Sequence, residues 1–253
     1  MGIKIKDLVK CYDNEKIILD NINLEIENGE FVCLLGSSGC GKSTLLNIIA
    51  AFEKSTSGKV LIDNEEIKKP SIERMSIFQN YGLLPWRTVE KNIHLGLETL
   101  KLPKKEIKNR TDELLDLVNL KEHSHKFPYE LSGGQQQRVG IARALAVKPK
   151  ILFMDEPFGA LDPITRRILQ DELIEIWKRE KTTILFVTHD IEEAIILGSK
   201  IVIMEPNPGK IKTIINNKIK KPINKEESDF YDLKEKIFKI LEFKSNENIE
   251  YFI

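Results

Sequence analysis

Residues Gly36-Ser37-Ser38-Gly39-Cys40-Gly41-Lys42-Ser43 fit the pattern of a glycine, four residues, then Gly-Lys-Ser/Thr, and that pattern constrains everything around it. A loop of this kind curls until successive backbone N–H groups converge on a phosphate. The lysine brings charge to the β and γ oxygens, and the hydroxyl of Ser43 can hold Mg²⁺. Glycine makes such turns cheaply because it has no β-carbon. The surroundings agree with the motif. Phe31-Val32-Cys33-Leu34-Leu35 is a short apolar run immediately before it, and Thr44 continues into a helical stretch ending near Phe52. A strand therefore delivers the loop to a helix N-terminus, whose dipole favours anions. An ordinary Gly/Ser turn has no such frame, so the sequence predicts an α/β core binding phosphates over Gly36 to Ser43.

The chain of 253 residues is long enough for one large domain, or one domain carrying a subdomain, without disulfides. Lys plus Arg number 39 and Asp plus Glu number 39, so the formal net charge is zero. No global basic field draws nucleic acid or an anionic membrane surface. Cys11, Cys33 and Cys40 are scattered and odd in number, which suggests neither a disulfide framework nor a zinc site and fits a reducing cytosol. The N-terminal residues are charged and alternating, with no apolar targeting segment. Apolar runs such as Ile151 to Met154 fall far short of the roughly 20 residues that cross a bilayer. At a membrane, other chains would have to hold it there.

Residues 3 to 30 alternate as antiparallel strands do, closing on Asn28-Gly29. Tyr12 ends the first of these, with two readings open: plain packing, or a flat face on which a base stacks. Arg74 to Phe78 reads as a buried strand ending at Gln79, where a polar side chain is either a loop amide or a ligand group. Helical patterns follow from Val89 to about Leu100 and from Lys104 to about Leu120. Leu131-Ser132-Gly133-Gly134-Gln135 opens another helix, expected from Gln136. Its N-terminus is either a second anion site or a simple cap by Ser132.

Ile151 to Met154 is a strand running into Asp155-Glu156. Two carboxylates at a strand end, in a chain with a phosphate loop, suit one metal-holding and one water-activating role. Asp162 precedes a helix from Ile164 to Arg179, which it can cap. Thr182 to Val187 is the next strand, with His189 at its end, either structural or a γ-phosphate contact. Lys200 to Met204 is read as the last core strand, after which Pro206 and Pro208 loosen the chain. Phe230, Leu233, Ile237, Ile240 and Leu241 stripe one amphipathic helix in the tail.

Taken together and in this order, the motifs resemble those of the ATP-binding subunit of ABC transporters over nearly the whole chain. Gly36 to Ser43 is similar to Walker A, Gln79 to the Q-loop, Leu131 to Gln135 to the signature, and Ile151 to Asp155 to Walker B. Glu156 stands at the catalytic glutamate, Ala160-Leu161-Asp162 at the D-loop, His189 at the switch histidine and Tyr12 at the adenine-stacking aromatic. Phe78 to Val89, with Pro206 to Ile211, is similar to importers of nitrate, sulfonate, taurine and related solutes, although Ala51 stands where many relatives carry glycine.

The resemblance implies a RecA-like core over residues 1–215, with an N-terminal antiparallel β-layer and a helical subdomain at about 80–148. Residues 216–253 are then a peripheral helical extension. It implies ATP and Mg²⁺ as cofactors, the metal being held by Ser43, Gln79 and Asp155, with Lys42, Gln79, Glu156 and His189 catalytic. Nucleotide bound at Tyr12 and Gly36 to Thr44 of one copy is closed over by Ser132 to Gln135 and Asp162 of another. A membrane permease, and indirectly a solute-binding protein outside the membrane, complete the expected assembly at the cytoplasmic face. The alternative is a soluble ABC ATPase acting on nucleic acid, ribosomes or cluster assembly. A single nucleotide domain, the lack of a coiled-coil insertion and the lack of a basic patch weigh against it.

Overall fold

Alternating apolar residues near the N-terminus become one face of a sheet. β1 (Ile3–Tyr12) and β2 (Lys16–Ile26) pair antiparallel with Ile3 opposite Ile26 and Ile5 opposite Leu24. The computed structural model describes residues 2–12, 16–77, 82–159, 161–223 and 225–242. It divides into two compact units, Met1–Lys68 with Leu185–Ile253, and Lys69–Ile184.

In the first unit, β1 also pairs with β4 (Ser57–Ile62), and β5 (Glu65–Glu66) completes a sheet ordered β2-β1-β4-β5. Ile3, Ile5, Leu24, Ile26, Val60 and Ile62 are all buried on its inner face. Period-two burial of this kind is how an antiparallel sheet keeps one face dry.

The second sheet of this unit is built on β3 (Phe31–Leu35), buried at all five positions. Strands covered on both faces read as unbroken apolar runs, which is why this one shows no alternation. β9 (Lys200–Glu205) lies parallel to β3 on one side, and β8 (Thr183–Thr188) flanks it on the other. Phe31 and Phe186 bring their rings to 6.0 Å across that pair. The chain does not loosen after β9. Asn207 and Pro208, joined by a cis peptide, sit in a turn to β10 (Lys210–Asn216), which pairs antiparallel with β9 as an edge strand. Helices α1 (Lys42–Ile49), α6 (Ile191–Leu197) and α7 (Ser228–Glu242) belong to the same unit.

The second unit carries the parallel pair β6 (Arg74–Ile77) and β7 (Ile151–Asp155), with Ile77 opposite Met154. Between them in sequence come α2 (Val89–Glu98), α3 (Lys104–Leu117) and α4 (Gly133–Ala146); α5 (Pro163–Glu180) follows β7. Asn92, fully buried on α2, folds the preceding loop around itself. It accepts from Leu84 N at 2.8 Å and donates to the carbonyls of Leu84, Arg87 and Thr88 at 3.1, 2.9 and 3.0 Å.

Candidate functional site

The loop between β3 and α1 is shaped by what its glycines exclude. A β-carbon on Gly36 would lie 2.7 Å from Met204 O and 2.8 Å from Cys40 Sγ, so no other residue fits there. Gly41 caps α1 with φ at 91°, in the left-handed region that glycine adopts without strain. Having no side chain, it leaves the first turn of α1 without a side-chain cap, and no acidic residue lies in that turn. The positive end of the helix is thus not neutralised locally, which suits an anion.

Lys42 is only 5% exposed, and its ammonium donates to the carbonyls of Gly36 at 2.8 Å and Ser37 at 2.9 Å. These bonds park a cation at the centre of the loop, ready to exchange carbonyl for phosphate oxygens. Ser37, Ser38, Gly39 and Ser43 are exposed, Thr44 is half-buried, and Cys40 is buried beneath them. Burial pushes the Cys40 thiol above its ordinary value, with the Lys42 ammonium pulling the other way.

Tyr12 is 41% exposed at the end of β1, and Lys10 Nζ stands 4.7 Å from its ring centre. Lys10 is itself paired with Glu53 at 2.9 Å. The phenol is pushed up by its hydrogen bond to Glu53 and by burial, against the smaller opposing effects of Thr44 and Lys10. Thr44 lies in the first turn of α1, so the ring stands beside the phosphate loop. One face of the ring carries a cation; an exposed aromatic held this way is a stacking platform.

His189 follows β8 and shares a cleft of about 210 Å³ with Gly36, Ser37, Met204, Glu205, Pro206, Lys212 and Leu241. The structure therefore brings Tyr12, the phosphate loop and His189 into one unit. Asp190, the N-cap of α6, accepts from Glu193 N at 3.1 Å, and Thr188 Oγ1 donates to Glu193 Oε2 at 2.6 Å. Those bonds fix the backbone on both sides of the histidine.

In the second unit the glycines of the signature segment are helical, because α4 begins at Gly133 rather than Gln136. Ser132 and Gln135 form a reciprocal capping box, Ser132 Oγ accepting from Gln135 N and Gln135 Oε1 accepting from Ser132 N at 3.0 Å. Gly134 allows the start of α5 to come close: a β-carbon there would lie 2.7 Å from Thr165 Cγ2. Asp162 caps α5, accepting from Ile164 N and Thr165 N at 3.1 and 3.0 Å, and those bonds, the Thr165 backbone foremost, hold its carboxyl below the usual range.

Asp155 ends β7, and Glu156 follows with φ at 43°, a left-handed conformation that costs a non-glycine residue of order 1–3 kcal/mol. Strain kept at the residue after a strand end marks a constrained position. Gln79 and Ala160 lie outside the described residues. Ser43 and Asp155 offer hard oxygen donors, the chemistry Mg²⁺ takes in company with phosphate oxygens. Glu53, Lys10 and Asn92 had no signature in the sequence; they are brought to Tyr12 and to the 84–88 loop by the fold.

A phosphate loop between a buried strand and a helix N-terminus, with a polar strand-end residue facing it, defines a P-loop nucleotide-binding protein. The chain matches the ABC transporter family over residues 19–159 and belongs to that family of ATPases, with its RecA-like α/β fold. It is 44% identical to an aliphatic sulfonates import ATP-binding protein of Bacillus cereus, over 96% of this chain and 97% of that one. It is 47% identical to a nitrate import ATP-binding protein of Synechococcus elongatus, over 76% and 71%. A dimeric ATP-binding cassette solved in a post-hydrolysis state with ADP and Pi superposes with a TM-score of 0.75. That match is at 35% identity and covers 85% of this chain and 99% of the other.

Proposed function

We propose that this chain is the ATP-hydrolysing subunit that energises an importer of a small anionic solute of the sulfonate or nitrate kind. The observation that carries the reading is the extent of the likeness to a sulfonate importer's ATP-binding protein, 44% over 96% of the chain. The likeness runs through both units, beyond the phosphate loop that all such ATPases need.

Tyr12 stacks on the adenine, and the N–H groups of Gly36 to Thr44 cradle the phosphates while Lys42 neutralises their charge. Ser43, Gln79 and Asp155 would hold Mg²⁺, which would supply Lewis-acid neutralisation of phosphate charge. Glu156 takes the proton of the attacking water, and His189 steadies the γ-phosphate as its bond to the β-phosphate breaks. Two copies close over two nucleotides, Ser132 to Gln135 and Asp162 of one facing the phosphate loop of the other; the dimeric relative with ADP and Pi supports this arrangement.

Release of the pair after hydrolysis moves a permease through the Gln79 to Val89 region. No helix among the described residues is long and apolar enough to cross a membrane. In this reading, which the likeness to importer ATP-binding proteins supports, the chain works at the cytoplasmic face on permease subunits, with a solute-binding protein delivering the anion from outside.

The test is to tag the chain in its native host, solubilise membranes gently and identify what copurifies. Recovery of a multi-span permease is the expected result; ribosomes or nucleic acid without a permease would overturn transport while leaving the ATPase intact. In the purified complex, Glu156→Gln should slow single-turnover hydrolysis by about 100-fold or more. Hydrolysis at the wild-type rate would remove Glu156 from the role of base.

A further inference from the structure

Helix α6 has seven residues, too few to hold itself helical in isolation, and the C-terminal segment of the chain grips it at both ends. Near its start, Glu192 accepts from Lys225 Nζ on one carboxylate oxygen and from Lys234 Nζ on the other, each at 2.6 Å. At its finish, Asn217 Nδ2 donates to Ile195 O and Gly198 O at 2.8 and 2.9 Å, and Lys221 Nζ donates to the carbonyls of Ile195 and Ile196. A helix ends in free carbonyls and a negative pole, so an amide and an ammonium are the groups that steady it. α7 adds Phe230 and Ile237, both buried.

The same segment reaches the cleft of His189 directly. Lys212 of β10 and Leu241 of α7 line it beside Gly36 and Ser37, and Lys212 Nζ donates to Ile240 O, tying the two elements together. His189 itself stands one residue before the N-cap of α6. The histidine therefore hangs between β8, whose place in the sheet is fixed, and a short helix that is buried from Glu193 to Leu197 and gripped by the C-terminal segment.

We propose that Glu192 is a positioning residue for hydrolysis: clamped by Lys225 and Lys234, it holds α6 so that His189 faces Gly36 and Ser37. Loosening the clamp slows turnover and leaves nucleotide binding alone, because the bonds of Glu192 to Lys225 and Lys234 involve neither the phosphate loop nor Tyr12. The inference rests on the reading of His189 as the γ-phosphate contact.

The test compares full-length wild type, Glu192→Gln, the pair Lys225→Gln/Lys234→Gln, His189→Ala, and Glu192→Gln combined with His189→Ala. Each is assayed for ATP hydrolysis and for binding of a fluorescent ATP analogue. Opening the clamp is expected to lower kcat about threefold to tenfold, with analogue affinity held within about twofold. In the His189→Ala background Glu192→Gln is expected to cost nothing further, since its effect passes through the histidine.

Lys239→Gln, which breaks the Lys239–Glu235 pair on α7 without touching α6, separates the clamp from general weakening of the helix and is expected to leave kcat unchanged. Exchange of charges, Glu192→Lys with Lys225→Glu and Lys234→Glu, is expected to restore turnover. Unchanged kcat in the clamp variants while His189→Ala is inactive would overturn the inference alone. So would losses that multiply with His189→Ala, or a fall in affinity in place of kcat. Wild-type turnover in His189→Ala would instead overturn the reading beneath it.

Discussion

Gly209 packs against the carbonyl oxygen of Cys40 so closely that a β-carbon on Gly209 would overlap it, and would also lie 2.7 Å from Ile18 O. The turn between β9 and β10 is thus the floor of the phosphate loop. Backbone bonds pin it there, from Gly209 N to Ile18 O at 2.9 Å and from Asp20 N to Gly209 O at 3.0 Å.

Gly209→Ala should therefore act on nucleotide binding from behind, without altering a residue that touches ATP. Overpacking against backbone costs about 1–3 kcal/mol, and here it is relieved only by moving β2 or the loop. Calorimetric titration with ATP is expected to show affinity reduced about tenfold or more, because loop N–H groups displaced by a fraction of an ångström no longer converge on the phosphates. Wild-type affinity in a folded variant would show that the loop does not lean on this turn.

Tyr12 separates two contributions that one substitution would confuse. Tyr12→Phe keeps the ring but gives up the hydroxyl that Glu53 influences, whereas Tyr12→Ala removes the stacking face. Base–aromatic stacking is worth about 1–3 kcal/mol. Titration of a fluorescent nucleotide should show Tyr12→Phe within about twofold of wild type and Tyr12→Ala weaker by about tenfold. Equal losses in both variants would assign the effect to the hydroxyl and its Glu53 and Thr44 partners.

How much of this was legible in the sequence depends on the distance between cooperating residues. The strand, loop and helix around Gly36 to Thr44 are contiguous, so composition and spacing were enough to read them. α2, α3 and α5 kept the helical periods that placed them. β10 was not legible: no residue of this edge strand is fully buried, Ile214 breaks the alternation of Ile211 and Ile215, and the prolines ahead of it read as loosening. The start of α4 is equally hidden, because two glycines argue against a helix and only the reciprocal Ser132 and Gln135 bonds show what pulls them into it. Glu192 is a surface carboxylate by every local measure. Its partners lie 33 and 42 positions later, a relationship that no periodicity encodes.

Gly134 and Thr165 make a separable pair. A methyl on Gly134 would lie 2.7 Å from Thr165 Cγ2 and 3.7 Å from Leu161 Cδ2. Gly134→Ala is expected to destabilise the folded chain by about 1–3 kcal/mol through that contact. Thr165→Ser removes the offending methyl while keeping a hydroxyl beside Asp162, so the double variant should recover most of the loss. Denaturant midpoints for the four proteins form the cycle. Additive losses would place the strain elsewhere than the Gly134–Thr165 contact.

The Glu192 clamp should also mark its own acid limit. Hydrogen bonds from Lys225 and Lys234 hold the Glu192 carboxyl below its ordinary value of 4.5. A carboxyl depressed in the folded state stabilises it above the unfolded value, and that contribution is lost as pH falls through the folded one. Two partly exposed pairs are worth about 1 kcal/mol together. The advantage of wild type over Glu192→Gln in urea unfolding should therefore hold from neutrality to about pH 5, then shrink and vanish as the carboxyl protonates. At the alkaline end the sign reverses with the partner. The ammonium of Lys234 is raised above 10.5 by Glu192, so its contribution is complete below that value and lost as pH rises through the folded one. A difference between the two proteins that stays constant through the acid range would mean that Glu192 stabilises α6 by packing and not by charge.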